Sequence, residues 1–120
     1  MIKKCKPLEN VIRFRASDFE RIPAEIYGVY GIWHGQRCLY VGKAKDQTIT
    51  TRLLQHWSNC HNPYLKCWID AKGNGLKVSY KKLMQDEIDL YEKYFIKRFQ
   101  PTTNTVRYNN AETPYEYRQL

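Results

Sequence analysis

The sequence has no long hydrophobic run. Among its 120 residues, no apolar stretch approaches the roughly 20 residues that a membrane-spanning helix needs, and no apolar signal core follows the basic N-terminus. These absences predict a protein that neither crosses a membrane nor is secreted. The four cysteines (Cys5, Cys38, Cys60 and Cys67) show no Cys-x-x-Cys spacing, so reduced thiols in a cytoplasmic, intracellular protein are the simplest interpretation.

Paired metal ligands at short spacing are also missing. His61 lies near Cys60 and Cys67, but Cys-His-x5-Cys does not supply the two ligand pairs that a zinc site requires. Internal repeats and low-complexity tracts are absent too, and the length suits one ordinary domain rather than two. We therefore expect one domain without structural zinc.

Acidic residues are the scarcer charged type. The chain has 20 Lys and Arg against 12 Asp and Glu, a net charge of +8, together with ten tyrosines and three tryptophans. A basic chain rich in aromatic residues favours a polyanionic partner, and nucleic acid is the commonest one. The alternative is a basic surface that only keeps the protein soluble.

Hydrophobic periodicity predicts the order β-β-α-α-β-α. The predicted strands cover 26–33, 38–42 and 76–83, and the predicted helices cover about 50–58, 64–71 and 86–99. A hairpin cannot be a parallel pair, so we expect an α+β fold with a small, mainly antiparallel three-stranded sheet flanked by helices. The predicted organisation is a basic lead-in over 1–22, a domain over 23–105 and a tail over 106–120.

Glu92 is the most informative residue of the last predicted helix. It falls inside an apolar stripe formed by Ile88, Tyr91, Phe95, Ile96 and Phe99. A carboxylate on an apolar face is costly unless it is paired, hydrogen-bonded or metal-bound. A buried ion pair, or a place at the rim of the stripe, is the structural alternative to a functional role.

Arg52 and His56 are neighbours on the first predicted helix because they are four residues apart. We expect them to lie away from an inner side made by Leu53, Leu54 and Trp57. An arginine can bind phosphate bidentately, and a histidine beside it can donate or shuttle a proton. The alternative is an ordinary solvated helix face.

The first predicted hairpin carries tyrosine beside glycine on both strands, in Gly28-Val29-Tyr30 and Tyr40-Val41-Gly42. The two tyrosines share a face if Tyr30 pairs with Tyr40, which requires an odd-length loop or a bulge. A three-residue loop over 34–36 would achieve this, whereas a two-residue His34-Gly35 turn would put them on opposite faces. We expect no chemical role for His34.

Taken together, these residues resemble the GIY-YIG nuclease domain. The two triplets match its signature with Val in place of Ile, and Arg52 with His56 resembles its Arg-x-x-x-His. Further along, Glu92 matches its metal-binding glutamate, followed by the closing Pro-x-x-Asn pattern at Pro101 and Asn104. The resemblance spans about 26–104.

The resemblance implies hydrolysis of phosphodiester bonds, in DNA rather than RNA, with one divalent metal. Glu92 would hold Mg²⁺ or Mn²⁺, and Arg52 would bind the scissile phosphate. Tyr30 would activate the attacking water with Tyr40 hydrogen-bonded nearby, which requires cations that lower the tyrosine pKa. His56 would orient or deprotonate a tyrosine hydroxyl.

Supporting roles follow from the same resemblance. Asn104 would position Glu92 or the helix end, and Gly28 and Gly42 would leave room for a phosphate backbone or for close packing beside the tyrosines. Lys43 and Lys45 are predicted to bind nucleic acid together with Arg52.

Two other functions compete with a nuclease. A non-catalytic nucleic-acid-binding module would keep the scaffold without metal-dependent turnover, and a protein-interaction domain would use its Tyr and Trp residues as a contact surface. The flanking segments are short for a sequence-specific interface. We therefore expect structural or loose sequence preference, a homodimer, or a partner protein that supplies target specificity.

Overall fold

One four-stranded sheet organises the computed structural model, which describes residues 8–118. All its strand pairs are antiparallel, and the strand order is β1-β4-β2-β3. The strands are β1 (Asn10–Arg13), β2 (Gly28–His34), β3 (Arg37–Ala44) and β4 (Leu76–Lys82). The helices are α1 (Ala16–Phe19), α2 (Ile49–Asn59), α3 (Pro63–Lys72) and α4 (Ile88–Phe99).

The predicted elements are confirmed apart from the number of strands. A three-stranded sheet was expected, but β1 adds a fourth strand within the predicted lead-in and pairs with β4. The strand was missed because it has only four residues, NVIR, of which three are exposed. Residues 1–7 of the predicted lead-in and 119–120 of the predicted tail lie outside the described residues, and the domain bounds of 23–105 stay a prediction.

Helices cover both faces of the sheet. One core, beneath α1, α2 and α3, includes Phe14, Phe19, Tyr30 and Leu53. The other, beneath α4, includes Trp33 and the buried side of α4. No helix within residues 8–118 is long and apolar enough to cross a membrane.

A β-bulge sets the register of the β2–β3 hairpin. Tyr30 pairs with Gly42 and Ile32 with Tyr40, but Trp33 pairs with Cys38, so Leu39 is an extra residue in β3. The direct Tyr30–Tyr40 pairing and the three-residue loop are therefore wrong, since the turn is Gly35-Gln36. Beyond the bulge, Tyr30 pairs with Gly42, which is two residues from Tyr40 in the same strand. Tyr30 and Tyr40 therefore share one face of the sheet, as expected.

The outer edge of β3 is bound by the segment that follows α4. The backbone N–H groups of Thr102 and Thr103 donate to the carbonyls of Cys38 and Leu39, at 3.1 and 2.8 Å. Asn104 extends this ladder with its side chain, which donates to and accepts from Val41, both at 2.9 Å. An edge strand that would otherwise expose unpaired backbone groups is thus fixed beside Tyr40.

Candidate active site

Helix α2 places His56 against the sheet. Thr48 caps the helix by accepting from the N–H of Thr51, and the buried residues Ile49, Leu53 and His56 form its inner side. The predicted inner side is wrong for Leu54, which is 41% exposed. Trp57 is 42% exposed but packs its ring against the buried Phe14 and Phe19. Steps of three and four residues from Leu53 reach Ile49 and His56 instead, so the histidine points inward.

His56 binds the buried tyrosine of the first triplet. Its Nε2 lies 2.8 Å from the Tyr30 hydroxyl, and the His56 ring lies 5.1 Å from that of Tyr40, centroid to centroid. The Tyr30 and Tyr40 rings are 6.2 Å apart. The structure therefore brings both triplet tyrosines and the histidine into one cluster, as predicted.

A cysteine completes the hydrogen bonds of the imidazole. Cys60 Sγ lies 3.6 Å from His56 Nδ1, and the Cys60 thiol donates to the carbonyl of Asn62 at 3.6 Å. Because the single thiol proton goes to Asn62, the sulfur is left to accept from Nδ1–H. The neutral His56 then presents a bare Nε2, which accepts from the Tyr30 hydroxyl.

Burial keeps this cluster neutral. It raises the pKa of Tyr30 well above its ordinary value, with a smaller rise from Tyr40, while Arg52 opposes the shift. Burial also lowers the pKa of His56 to about 4, assisted by Arg52 and His61. Tyr30 is accordingly a protonated hydrogen-bond donor at neutral pH in the absence of substrate.

A cavity of about 380 Å³ opens beside this cluster. One wall carries Tyr40, Arg52 and His56. Arg52 is half-buried and donates to Gln55 at 2.9 Å, which fixes the direction of its guanidinium group. Tyr30 is fully buried, so Tyr40 is the triplet tyrosine that reaches the cavity. Burial raises the pKa of Tyr40, and Arg52 and the Tyr30 hydroxyl partly offset that rise.

Glu92 lies at the rim of the apolar side of α4 rather than inside it. It is half-buried, whereas Tyr91 and Phe95 beside it are buried. Burial raises the pKa of the Glu92 carboxyl, Lys43 opposes that rise, and the carboxylate in turn raises the pKa of Tyr40 and Tyr30. The carboxylate is thus within electrostatic reach of both tyrosines, as expected.

The donor set suits Mg²⁺ or Mn²⁺. Residues 8–118 contain no cluster of three or more His, Cys, Asp or Glu side chains that could hold a metal ion. Magnesium, however, is commonly bound by one or two carboxylates together with water and substrate phosphate. A single half-buried carboxylate whose negative form is disfavoured by burial would gain from a divalent cation, so Glu92 fits this coordination.

Lys43 and Lys45 form ion pairs in the structure. Each Nζ lies 2.8 Å from a different oxygen of Asp89, one helical turn before Glu92. These hydrogen bonds lower the pKa of Asp89 to about 2. Their side chains are 44% and 38% exposed, so the pairs are weak and can exchange for phosphate contacts.

The predicted supporting residues Gly28, Gly42 and Asn104 make close contacts within the sheet. A Cβ on Gly42 would collide with the Tyr30 hydroxyl, and a Cβ on Gly28 with the carbonyl of Lys81. Close packing is therefore the reason for both glycines. Asn104 contacts Val41, so its observed partner is the edge strand, and its action on Glu92 stays a prediction.

Sequence reasoning did not include three residues of the site: Cys60, Asn62 and Tyr64. Cys60 follows His56 by four residues, a spacing that could have revealed the contact. Asn62 precedes Pro63, a pairing typical of a helix entry, and its side chain caps α3 by accepting from the N–H groups of Tyr64 and Leu65. No sequence signal places Tyr64 in the cavity.

The structure is an α+β domain in which helices cover an antiparallel sheet and one cavity is lined by Tyr40, Arg52 and His56. The family model of the GIY-YIG catalytic domain matches residues 26–109. The chain therefore belongs to the GIY-YIG catalytic domain family, a nuclease family. Comparisons with curated proteins and with solved structures gave no match.

Proposed function

We propose that the chain is a metal-dependent endonuclease that hydrolyses phosphodiester bonds in DNA inside the cell. The observation that carries this proposal is that Tyr40, Arg52 and His56 line the same cavity. Glu92 is in electrostatic reach of Tyr30 and Tyr40. Positive charge, a proton acceptor and a carboxylate are the groups that phosphodiester hydrolysis requires.

Arg52 binds the scissile phosphate. Its guanidinium group is already directed by Gln55 at 2.9 Å, so little side-chain freedom is lost when the phosphate arrives. A planar guanidinium group can donate two parallel hydrogen bonds to phosphate oxygens. The same charge stabilises the extra negative charge that develops during attack.

Tyr40, Tyr30 and His56 move the proton of the attacking water. Tyr40 accepts a proton from the attacking water as it passes its own hydroxyl proton to Tyr30. Tyr30 in turn passes its hydroxyl proton to the bare Nε2 of His56, which lies 2.8 Å away and is the final acceptor. Burial lowers the pKa of His56 in the free protein to about 4, and the positive charge of Arg52 adds to that shift. A bound phosphate offsets that positive charge, so the pKa of His56 rises and the imidazole becomes a better base when substrate is present.

Glu92 would hold the divalent metal through its carboxylate. When bound, Mg²⁺ or Mn²⁺ supplies charge stabilisation at the phosphate and at the leaving oxygen. Lys43 and Lys45 exchange Asp89 for flanking phosphates and orient the strand. A second copy of the chain or a partner protein supplies target choice.

The test is cleavage of linear, branched and single-stranded DNA with Mg²⁺ or Mn²⁺. Arg52→Ala should lower the rate about 100- to 1,000-fold, and Glu92→Gln by at least about 100-fold. Glu112→Gln and Arg21→Ala, at exposed positions outside the cavity, are the matched controls. Salt-sensitive binding without metal-dependent turnover would contradict the proposal and favour a non-catalytic binding module.

A further inference from the structure

Tyr64 is an exposed aromatic residue in the cavity of the candidate catalytic residues. It lies in the first turn of α3 and is 64% exposed, and it lines the same cavity as Tyr40, Arg52 and His56. A single aromatic residue on a protein surface needs no explanation. This one, however, lies where the proposed mechanism places a nucleotide.

Asn62 fixes the position of Tyr64. The Asn62 side chain accepts from the N–H of Tyr64 at 3.0 Å and donates to the carbonyl of Thr103 at 3.0 Å. Thr103 is in turn bound to Leu39 of the edge strand, at 2.7 Å through its hydroxyl. The first turn of α3 is therefore tied to the same strand that carries Tyr40, which fixes the backbone from which the Tyr64 ring reaches the cavity.

We propose that Tyr64 stacks on one nucleobase of the substrate, next to the phosphate that Arg52 binds. This inference rests on the proposed endonuclease function. The cavity of about 380 Å³ is within the size range of sites for small organic ligands, which suits one nucleotide. An aromatic ring can stack on any of the bases. Stacking therefore needs no further side chains that recognise a particular base.

The stacked base cannot remain inside a duplex stack. A base that contacts Tyr64 has to be unpaired or extruded, and extrusion costs least at a mismatch, a flap or a single-stranded junction. The inferred substrate is therefore DNA with an unpaired nucleotide beside the scissile phosphate. A fully paired duplex of the same sequence should bind more weakly.

The first experiment measures binding of a fluorescent flapped duplex in buffer with EDTA, where no cleavage occurs. Tyr64→Ala should weaken binding about 10- to 100-fold, and Tyr64→Phe should restore it because the ring is retained. Tyr115, which is 78% exposed and outside the cavity, provides the matched control Tyr115→Ala. Equal affinities of Tyr64→Ala and Tyr115→Ala would overturn the inference.

The second experiment removes the base instead of the ring. One abasic nucleotide is placed in turn at each position flanking the mapped cleavage site. One position should weaken binding of the unmodified protein about 10- to 100-fold but have no further effect on Tyr64→Ala, since side chain and base act on the same interaction. Equal losses in both proteins at every position would exclude stacking by Tyr64.

The two proposals fail in different ways. If the unmodified protein cuts the flapped substrate with Mg²⁺ and Tyr64→Ala binds it equally well, the stacking inference is wrong and the endonuclease proposal stands. If the unmodified protein neither binds nor cuts DNA, the endonuclease proposal is wrong and the inference falls with it.

Discussion

His56 gives the active site a pH-dependent effect on stability. An unfolded histidine titrates near pH 6.5, whereas burial lowers the pKa of His56 in the folded protein to about 4. Between these values the unfolded chain binds a proton that the folded one does not, so stability is complete above about pH 6.5 and falls as the pH drops toward 4. The loss amounts to roughly 3 kcal/mol at most.

Urea unfolding from pH 7.5 to pH 4 measures this effect. In His56→Gln the unfolding free energy should depend less on pH in that window. The control is His34→Gln, at the hairpin turn, which should keep the full pH dependence of the unmodified protein. A pH dependence in His56→Gln that equals that of the unmodified protein would contradict the neutral, buried imidazole described above.

At the residue scale, the four-residue separation of Arg52 and His56 was sufficient to predict that they are neighbours on α2. It did not predict how deeply each side chain is buried. The sequence placed both away from the inner side of α2, whereas His56 is 9% exposed and bound to Tyr30. A histidine can lie on either side of an amphipathic helix. Leu54 and Trp57 were assigned to the inner side instead of His56 because they are more apolar. The burial of His56 depends on Tyr30, a partner 26 residues away in sequence, which periodicity cannot reveal.

At the element scale, the hairpin depends on close packing at Gly42. A methyl group there would overlap the Tyr30 hydroxyl and lie 2.8 Å from Cε2 of Tyr40. Gly42→Ala should therefore lower the unfolding free energy by about 1–3 kcal/mol. Because it displaces the hydroxyl that binds His56, cleavage should fall by at least about tenfold.

Thermal unfolding and single-turnover cleavage measure the two effects of Gly42→Ala. Gly73→Ala is the matched control, because a Cβ at Gly73 meets no atom within 4 Å. Cleavage by Gly42→Ala at the rate of Gly73→Ala would show that the Tyr30 hydroxyl can move without consequence, and the proton path through Tyr30 would be wrong.

The same hairpin shows what sequence can decide about an element. The helices and the longer strands could be predicted because their apolar periodicity extends over several residues and because signals such as Asn62-Pro63 mark where a helix begins. The bulge at Leu39 could not, since the turn sequence allows several loops and only packing against α2 and α4 selects one. Strand β1 could not either, because an edge strand of four residues buries too little to show a pattern.

At the scale of the whole molecule, the net charge of +8 predicted a polyanionic partner without locating its path. The structure concentrates a part of that charge beside Glu92, where Lys43 and Lys45 share Asp89. Composition could not reveal this grouping, because Asp89 is 46 and 44 residues away from the two lysines. The ion pairs hold both lysines on one carboxylate of α4, and their exchange for DNA phosphates stays a prediction.

Salt dependence of DNA binding tests this role of the lysines. Each phosphate contact contributes a slope of about −0.7 to −0.9 to log K against log salt concentration. Replacing both Lys43 and Lys45 by Gln should therefore reduce the magnitude of the slope by about 1.4 to 1.8 and weaken binding equally for different sequences. The control replaces Lys72 and Lys77, which are exposed and outside the cavity, and lowers the net charge by the same amount. If both double variants change the slope equally, the protein binds DNA through its total charge, and the ion pairs with Asp89 have no part in guiding the strand to Arg52.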